Sequence, residues 1–326
     1  MALQDKSILV TGGSGFIGSH LVDRLILERP SKLVVVDNFF LGKEANLKEA
    51  KANYPPLKIH RQDASDYEAM RRIMKGEDIQ VVFNLAIVPL PASLTQPKWS
   101  CEQNINITLC LCELARNHAF ESLVHFSSSE AYGTSQQVPM DENHPLNPTT
   151  PYGASKAATD LLVLSYVNTF NINALIIRPF NNYGPRQNEG NYAGVIPLTI
   201  KRLLSGEVPV IYGDGEQTRD YIYVTETAGA AIDLYNCPQS RGRVLNIGSG
   251  SEVSINTLVK LIARYLSEDK PIVYEEARAG DIRRHVADIH SAEDLIGFKP
   301  KIALEEGLKY TIDWYKEKLV YNLKGA

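Results

Sequence analysis

Several features that would restrict the function of this 326-residue chain are missing from its sequence. No apolar run approaches the roughly 18 residues that a membrane-spanning helix requires, and the first residues lack the apolar core of a signal peptide. The four cysteines form no CxxC pair, so neither a zinc site nor a disulfide framework is predicted. A net charge of -4 gives no electrostatic reason to expect nucleic acid or an anionic membrane as partner. We therefore expect a cytoplasmic globular protein.

Strand-like and helix-like segments alternate through the first half of the chain. Apolar runs predict six strands at Ile8–Thr11, Leu33–Asp37, Leu57–Arg61, Val81–Leu85, Leu123–Ser127 and Ala174–Arg178. Between them lie amphipathic stretches, of which Pro97–Asn117 and Pro151–Thr169 are the longest. Such an order indicates an α/β fold, a Rossmann-type doubly wound parallel sheet with helices on both faces.

The second half of the chain has a different organisation. After about Arg178 the alternation stops, and glycines and prolines separate shorter elements. We therefore expect residues 1–178 to form a dinucleotide-binding domain, to which a segment near 221–245 returns. Residues 179–326 would mainly form a smaller α/β substrate-binding domain.

A glycine-rich turn joins the first predicted strand to the first helix, in the segment Thr11–Gly18. Gly12 would make the tight turn, Gly15 would let the backbone approach a pyrophosphate, and Gly18 would let the helix pack closely on the sheet. Asp37 ends the second strand, where a carboxylate holds a ribose 2′-hydroxyl and repels a 2′-phosphate. The alternative is an ordinary tight turn. In this context the pattern favours NAD over NADP.

A tyrosine and a lysine lie four residues apart at the start of the helix after Pro151. This spacing places Tyr152 and Lys156 on one helical face. A lysine cation beside a phenol favours the phenolate, so we expect it to lower the tyrosine pKa and make Tyr152 a base. The same spacing is common on solvated helix faces, and only the upstream dinucleotide motif favours the catalytic interpretation.

Hydroxyl groups and one carboxylate follow the fifth strand, at Ser127–Glu130. Strand ends of a parallel sheet face the ligand crevice, so these side chains are candidates for contact with substrate. A serine-rich turn with a solvated glutamate is the alternative.

Together these motifs resemble the extended short-chain dehydrogenase/reductase family, in its nucleotide-sugar epimerase, dehydratase and decarboxylase branch. The resemblance also includes Asp63, Asn181–Arg186, Gly213–Tyr221 and Gly280–Arg283, and it runs from Ile8 to about Tyr315. It implies an NAD cofactor, a nucleoside-diphosphate sugar as substrate, and a homodimer formed through a four-helix bundle. One departure concerns the sequence after the fourth strand, where this chain has Asn84-Leu85-Ala86-Ile87 and the family usually has His-Leu-Ala-Ala.

The resemblance also implies roles for individual residues. Tyr152 would be the base, Lys156 would bind the nicotinamide ribose, Ser128 would bind the sugar 4-hydroxyl, and Ser129 and Glu130 complete the catalytic set. The cofactor would be bound by Gly12, Gly15, Phe16, Ile17, Gly18, Asp37, Asn38, Asp63, Ala64, Leu85, Ala86, Tyr152, Lys156 and Pro179. The substrate would be bound by Ser128, Asn181, Arg186, Val195, Arg219 and Arg283. Arginine suits a diphosphate because its planar fork binds phosphate oxygens bidentately.

Three reactions fit this assignment, and all begin with oxidation at C4 to a 4-keto sugar. An epimerase returns the hydride to the opposite face, a 4,6-dehydratase loses water across C5 and C6, and a uronate decarboxylase loses carbon dioxide. Glu130 favours the 4,6-dehydratase, because elimination needs a base near C5 and epimerisation does not. The 4-epimerase and the UDP-glucuronate decarboxylase remain alternatives. A non-catalytic NAD-binding regulator and a reductase of non-sugar ketones are more remote.

Overall fold

The computed structural model describes residues 3–190, 193–278 and 280–324. Its strands β1 to β13 are Ser7–Thr11, Lys32–Asp37, Lys58–Arg61, Val81–Asn84, Ser122–Phe126, Ala174–Pro179, Asn181–Tyr183, Val210–Tyr212, Thr218–Arg219, Tyr221–Tyr223, Val244–Ile247, Val253–Ser254 and Val273–Glu275. Its helices α1 to α11 are Phe16–Leu27, Lys48–Asn53, Tyr67–Glu77, Leu90–Thr95, Pro97–Arg116, Pro151–Phe170, Val195–Leu204, Val224–Asn236, Ile255–Leu266, His290–Ile296 and Leu304–Lys324.

A seven-stranded sheet forms the centre of the molecule, in the order β11-β6-β5-β4-β1-β2-β3. All neighbouring strands in it are parallel. The chain moves outward through β2 and β3 on one side of β1 and through β4, β5 and β6 on the other. This arrangement confirms the predicted α/β Rossmann-type fold, and it creates a topological switch point between β1 and β4, where such sheets bind ligands.

The two faces of the sheet are covered by different helices. One apolar core joins the sheet to α1 and α8, and the second joins it to α3, α5 and α6. The β-branched strands supply both cores, since Val34 and Val35 are fully buried on opposite faces of β2. The chain returns to this sheet late, because α8 packs on α1 and β11 pairs with β6.

A third core lies outside the central sheet. It contains buried side chains of α7, α9 and α11 together with Tyr183, Tyr221 and Tyr223. The three tyrosine rings meet edge to face, with the Tyr183 and Tyr223 centroids 5.5 Å apart. The residue limits of the two expected domains, 1–178 and 179–326, stay a prediction.

Helix α6 carries the predicted tyrosine and lysine, and its start is defined locally. The hydroxyl of Thr150 accepts a hydrogen bond from the Gly153 N–H at 3.1 Å, and Pro151 occupies the first turn, where its missing N–H costs nothing. The helix ends at Asn171, which adopts a left-handed conformation with φ 55°. Tyr152 is thereby held in the first turn of a stable 20-residue helix.

The described residues contain neither a membrane-spanning helix nor a cluster of metal ligands. Among those residues, no helix combines the length and apolarity needed to cross a bilayer. Within the same ranges, no group of three or more histidine, cysteine, aspartate or glutamate side chains could hold a metal ion. The four cysteines are free thiols.

Candidate active site

A cavity of about 430 Å³ opens beyond the carboxyl ends of the central strands. It is lined by all of the predicted cofactor residues and by some of the predicted catalytic and substrate residues. These are Gly12, Gly15, Phe16, Ile17, Gly18, Asp37, Asn38, Asp63, Ala64, Leu85, Ala86, Ser128, Tyr152, Lys156, Pro179 and Arg186. Six further predicted residues, Ser129, Glu130, Asn181, Val195, Arg219 and Arg283, are not among the described residues that line it.

The glycine-rich turn brings two backbone segments into contact at the floor of the cavity. Gly12 has φ +66°, and a Cβ there would lie 2.8 Å from the Ala86 nitrogen, so the β1 and β4 turns touch through their main chains. A Cβ on Gly18 would lie 2.2 Å from the Gly12 oxygen. Helix α1 then starts at Phe16, Gly15 before it supplies no side-chain cap, and the first residues of the helix line the cavity.

Two aspartates at strand ends are organised by hydrogen bonds. Asp37 is buried, and its carboxylate accepts the N–H of Ser14 at 2.9 Å and that of Phe39 at 2.8 Å. Asp63 accepts both the N–H and the hydroxyl of Ser65, at 2.9 and 2.7 Å. Each carboxylate oxygen has two lone pairs, so these bonds orient the aspartates and leave acceptor capacity toward the cavity.

The serine turn and helix α6 approach each other very closely. A Cβ on Gly153 would lie 2.5 Å from the Glu130 carbonyl oxygen, so the glycine permits this contact. The Ser128 hydroxyl accepts the Glu130 N–H at 3.2 Å and lies close enough to Tyr152 to oppose the rise of its pKa. The negative charge of the Glu130 carboxylate also raises the pKa of the Tyr152 phenol. Serine, glutamate and tyrosine therefore form one cluster.

Burial sets the protonation of this cluster. It raises the pKa of Tyr152 above its ordinary value, and the charge of Glu130 adds to the rise. The expectation of a lowered tyrosine pKa is therefore wrong for the protein on its own. Its physical reason is the burial of the phenol, which the Lys156 ammonium, donating a hydrogen bond to the Phe126 carbonyl at 2.7 Å, does not offset. Burial lowers the pKa of Lys156 to about 8, and burial raises the pKa of Glu130.

The predicted substrate arginines are paired inside the protein. Arg186 lines the cavity, but its guanidinium binds Asp23 at 2.6 Å and Glu49 at 3.1 Å. Arg283 is 60% exposed and binds both oxygens of one carboxylate, that of Asp214, at 2.7 and 2.9 Å.

Arg219 differs because it lies beside Glu130 of the cluster formed with Ser128 and Tyr152. It donates to the carbonyls of Thr218 and Ile282 at 2.9 and 2.6 Å and pairs with Asp281. Its positive charge opposes the rise in the Glu130 pKa. Of the three arginines, Arg219 is the one that the structure brings near Glu130, and the substrate roles of all three stay predictions.

Several cavity residues were not predicted from the sequence. Phe40 and Trp99 meet edge to face with ring centroids 5.2 Å apart, and Lys43 lies near Glu189 with a 3.6 Å ion pair. All three residues line the cavity, and Phe40 and Trp99 come from distant parts of the sequence. Ile87, at the position where the chain departs from the family pattern, lines it as well.

Comparison with known proteins gives matches over nearly the whole chain. Residues 9–311 match a family model described as GDP-mannose 4,6 dehydratase. A UDP-glucose 4-epimerase of Mycolicibacterium smegmatis is 33% identical over 312 residues, covering 95% of this chain and 98% of the relative. The structure of UDP-N-acetylglucosamine 4-epimerase from Methanobrevibacter ruminantium M1 is 38% identical, with a TM-score of 0.89 over 97% of this chain and 99% of the other. That of dTDP-glucose 4,6-dehydratase from Streptomyces venezuelae, solved with NAD, is 29% identical, with a TM-score of 0.91 over 97% and 98%.

The chain belongs to this family. Its members matched here include epimerases, dehydratases and a decarboxylase, so the protein is a nucleotide-sugar enzyme of this kind. The prediction of an extended short-chain dehydrogenase/reductase is confirmed, while the choice among the three reactions is not decided by the matches.

The residues present fit an NAD cofactor. The touching backbones at Gly12, the uncapped start of α1 and the Asp37 carboxylate are the features that a dinucleotide pyrophosphate and ribose require. The Ser14 hydroxyl in the same turn is buried without a hydrogen-bond partner among the described residues. Together with the family match, this confirms the prediction of NAD as cofactor.

Proposed function

We propose that this protein is an NAD-dependent nucleotide-sugar 4,6-dehydratase that acts through a 4-keto intermediate. The observation that carries the proposal is the position of Glu130. Its carboxyl group is half-buried, is close enough to act on the Tyr152 phenol, and has a raised pKa. Because burial raises its pKa, the Glu130 carboxylate is a stronger base than a solvated one, which suits removal of a proton next to a ketone.

The first half-reaction uses Tyr152, Ser128 and Lys156. The Tyr152 phenol first loses its own proton to solvent, and the phenolate oxygen, held in place by the Ser128 hydroxyl, then accepts the proton of the C4 hydroxyl. The Lys156 ammonium supplies positive charge where the phenolate forms and binds the cofactor ribose. NAD, when bound, accepts the C4 hydride and later returns it to the sugar.

The second half-reaction uses Glu130. Oxidation at C4 makes the C5 proton acidic, because its removal gives an enolate of the 4-keto group. Glu130 takes this proton and gives one to the C6 hydroxyl, so that the C6–O bond breaks and water leaves. The hydride then adds to C6 and a solvent proton adds to C5, which completes a 4-keto-6-deoxy sugar.

We propose that Arg219, Asn181 and Val195 bind the nucleoside diphosphate. The sequence neighbours of Asn181 and Val195 line the cavity. The side-chain nitrogen of Asn181 is buried without a partner among the described residues, so it has a donor available. Arg219 must exchange its contact with Asp281 for phosphate oxygens, which suits the bidentate geometry of guanidinium and phosphate.

A 4-epimerase is the second candidate, because the matched epimerases reach 38% identity with this chain. In that reaction Glu130 would have no proton to remove at C5. A decarboxylase would likewise eliminate no water across C5 and C6.

Product analysis tests the proposal. The purified protein is incubated with NAD and, separately, UDP-glucose, UDP-N-acetylglucosamine or UDP-glucuronate, and the products are read by mass spectrometry. Loss of one water supports a dehydratase. Loss of carbon dioxide, or an unchanged mass with a new stereoisomer, contradicts it.

Substitution of the carboxyl group tests the role of Glu130. Glu130→Gln is expected to lower water elimination by about 10²- to 10⁴-fold, the usual worth of a general acid or base. The matched control is Glu142→Gln, which removes a half-buried carboxylate that binds the Asn246 N–H and the Ser291 hydroxyl. Unchanged turnover in Glu130→Gln would favour the epimerase.

We also propose a cytoplasmic homodimer formed through α5 and α6. Large apolar side chains on these helices are exposed, namely Leu109 at 38%, Leu161 at 58% and Phe170 at 49%. Sedimentation of the wild type at twice the monomer mass, with Leu161→Asp shifted to monomer, is the expected result. A wild-type monomer would contradict the dimer and leave the proposed reaction untouched.

A further inference from the structure

A group of buried ionisable side chains lies behind Lys156, outside the residues assigned to the reaction. Asp160 is completely buried, and Arg178 is 3% exposed. Asp160 follows Lys156 by four residues on α6, so Tyr152, Lys156 and Asp160 share one face of the helix. Buried charges are costly unless paired, so this group requires an explanation.

Asp160 is anchored from the neighbouring strand. The guanidinium nitrogen Nε of Arg178, on β6, donates to Asp160 Oδ2 at 2.7 Å. Arg178 in turn lies over the ring of Tyr132, 4.6 Å from its centroid. The other carboxylate oxygen, Oδ1, has no hydrogen-bond partner among the described residues. Burial raises the pKa of Asp160, and the charge and hydrogen bond of Arg178 oppose this rise, so Arg178 both fixes the carboxyl group and favours its negative charge.

A chain of polar contacts continues from Asp160 across the sheet. His125 Nε2 lies 3.9 Å from Asp160 Oδ1 and 3.3 Å from the Thr159 hydroxyl. His125 Nδ1 lies 3.1 Å from Asn84 Nδ2, and Asn84 Oδ1 accepts the Thr11 hydroxyl at 2.7 Å. The chain thus runs from β1, where the glycine-rich turn begins, to the helix that carries Lys156. Asn84 is one of the positions where the sequence departs from the family pattern.

The other titratable groups that face Lys156 and Asp160 cannot replace this carboxylate. Burial lowers the pKa of His125, from β5, well below its usual value, so this ring is neutral. Tyr152 is neutral because burial raises its pKa.

Lys156 needs a negative charge nearby to remain protonated. It is 2% exposed, and its ammonium donates to the Phe126 carbonyl, which is neutral. We propose that Asp160 is a positioning residue of the active site, whose carboxylate, fixed by Arg178, keeps the buried Lys156 side chain in its ammonium form. The role of that ammonium in catalysis rests on the proposed function, whereas the effect of Asp160 on the protonation of Lys156 does not.

The protonation of Lys156 can be measured without turnover. Acetic anhydride acylates only the neutral amine, so the pH of half-maximal acetylation, read by peptide mass spectrometry, reports the lysine pKa. The exposed Lys98, whose side chain is 87% accessible, is the internal reference. In the wild type we expect the Lys156 midpoint near pH 8, since its pKa is lowered to about 8. In Asp160→Asn it should fall by about one to three pH units, the usual effect of an opposite charge at close range.

Two further variants separate charge from structure. Asp160→Glu keeps the charge and should keep the wild-type midpoint. Asp220→Asn removes another completely buried carboxylate, which binds the N–H of Ser249 at 2.7 Å and that of Gly250 at 3.0 Å, and it should destabilise the fold without moving the midpoint. A wild-type midpoint in folded Asp160→Asn overturns the proposal, even if its activity is lower at every pH.

A second route remains if Asp160→Asn does not fold. In Arg178→Gln the Asp160 carboxylate loses the hydrogen bond that fixes it and the charge that opposes the rise of its pKa, so the Lys156 midpoint should fall. An unchanged or higher midpoint overturns the proposal. Failure of every sugar nucleotide to react would refute the proposed function, whereas the midpoints would still decide the role of Asp160.

Discussion

The cofactor side of the cavity and the arginines expected to hold the substrate are built in different ways. On the cofactor side, the contacts are made by backbone and by residues at strand ends, such as Gly12 and Asp37. On the substrate side, Arg186, Arg219 and Arg283 each form an ion pair with an acid of the same chain. The cofactor side is preorganised, and the substrate side must exchange contacts before it can bind a diphosphate.

This difference has an energetic consequence. A preformed backbone cradle loses little conformational freedom on binding, whereas an arginine that leaves a carboxylate must recover that interaction from the phosphate. The Arg219 side chain is 11% exposed and that of Arg283 is 60% exposed. Replacing the carboxylate partner by phosphate should therefore change the binding free energy more at Arg219 than at Arg283. The predictions below test the two sides separately.

The largest expected effect follows from Tyr152→Phe. Removal of the phenol oxygen leaves the ring and the fold in place but abolishes the proton acceptor at C4. We expect a loss of about 10²- to 10⁴-fold in kcat, with NAD binding retained. Steady-state kinetics and a fluorescence titration with NAD measure the two quantities. If Tyr152→Phe weakens NAD binding but keeps the wild-type kcat at saturating NAD and substrate, the assignment of Tyr152 to proton transfer is contradicted.

The cofactor side is tested by Gly12→Ala. The added Cβ would meet backbone atoms at 2.8 Å in a left-handed conformation, which costs about 1–3 kcal/mol of strain before any clash. We expect NAD affinity to fall by about 10- to 100-fold, measured by calorimetry. Gly76→Ala is the control, because a Cβ at Gly76 in α3 meets no atom within 4 Å. Equal effects of the two changes would contradict the proposed role of the turn.

The substrate side is tested by comparing two arginines. Arg219→Met is expected to raise KM for the sugar nucleotide by about 10- to 100-fold, corresponding to a lost charged hydrogen bond. Arg283→Met should change KM by less than about fivefold, because an exposed ion pair contributes little. Steady-state kinetics at a fixed NAD concentration supply both values. The reverse order would move the diphosphate site toward Arg283.

The last expected effect concerns pH. Burial lowers the pKa of Lys156 to about 8, so the ammonium form is full below this pH and is lost above it. If the ammonium is required, kcat/KM should fall about tenfold for each pH unit beyond the midpoint, on the alkaline side. A pH profile measures this limb. Activity that stays constant to pH 10 would mean that the charge of Lys156 is not required.

The fold and the cofactor side could be predicted because their signals are local. Valine-rich runs indicate buried strands whichever neighbours those strands pair with. The predicted strand Val81–Leu85, for example, is one residue longer than β4. The glycine turn likewise depends on backbone geometry that neighbouring residues impose. The short strand β11 was not predicted, because its pairing with β6 depends on a distant part of the chain.

The remaining features depend on tertiary contacts. Nothing near Arg186 in sequence indicates that Asp23 and Glu49 will pair with it. The Tyr152 pKa was predicted in the wrong direction because spacing reveals the neighbouring lysine but not the extent of burial. The sequence therefore predicted which residues line the cavity better than it predicted the charge states of their side chains.

The central claim is that Glu130 performs proton transfer at C5, and the reaction in heavy water tests it most directly. The protein is incubated in D₂O with NAD and the sugar nucleotide that it consumes, and the product is read by mass spectrometry and NMR. The account predicts a product that has lost one water and carries solvent deuterium at C5, with both events suppressed in Glu130→Gln. A product of unchanged composition with no deuterium at C5 would contradict it.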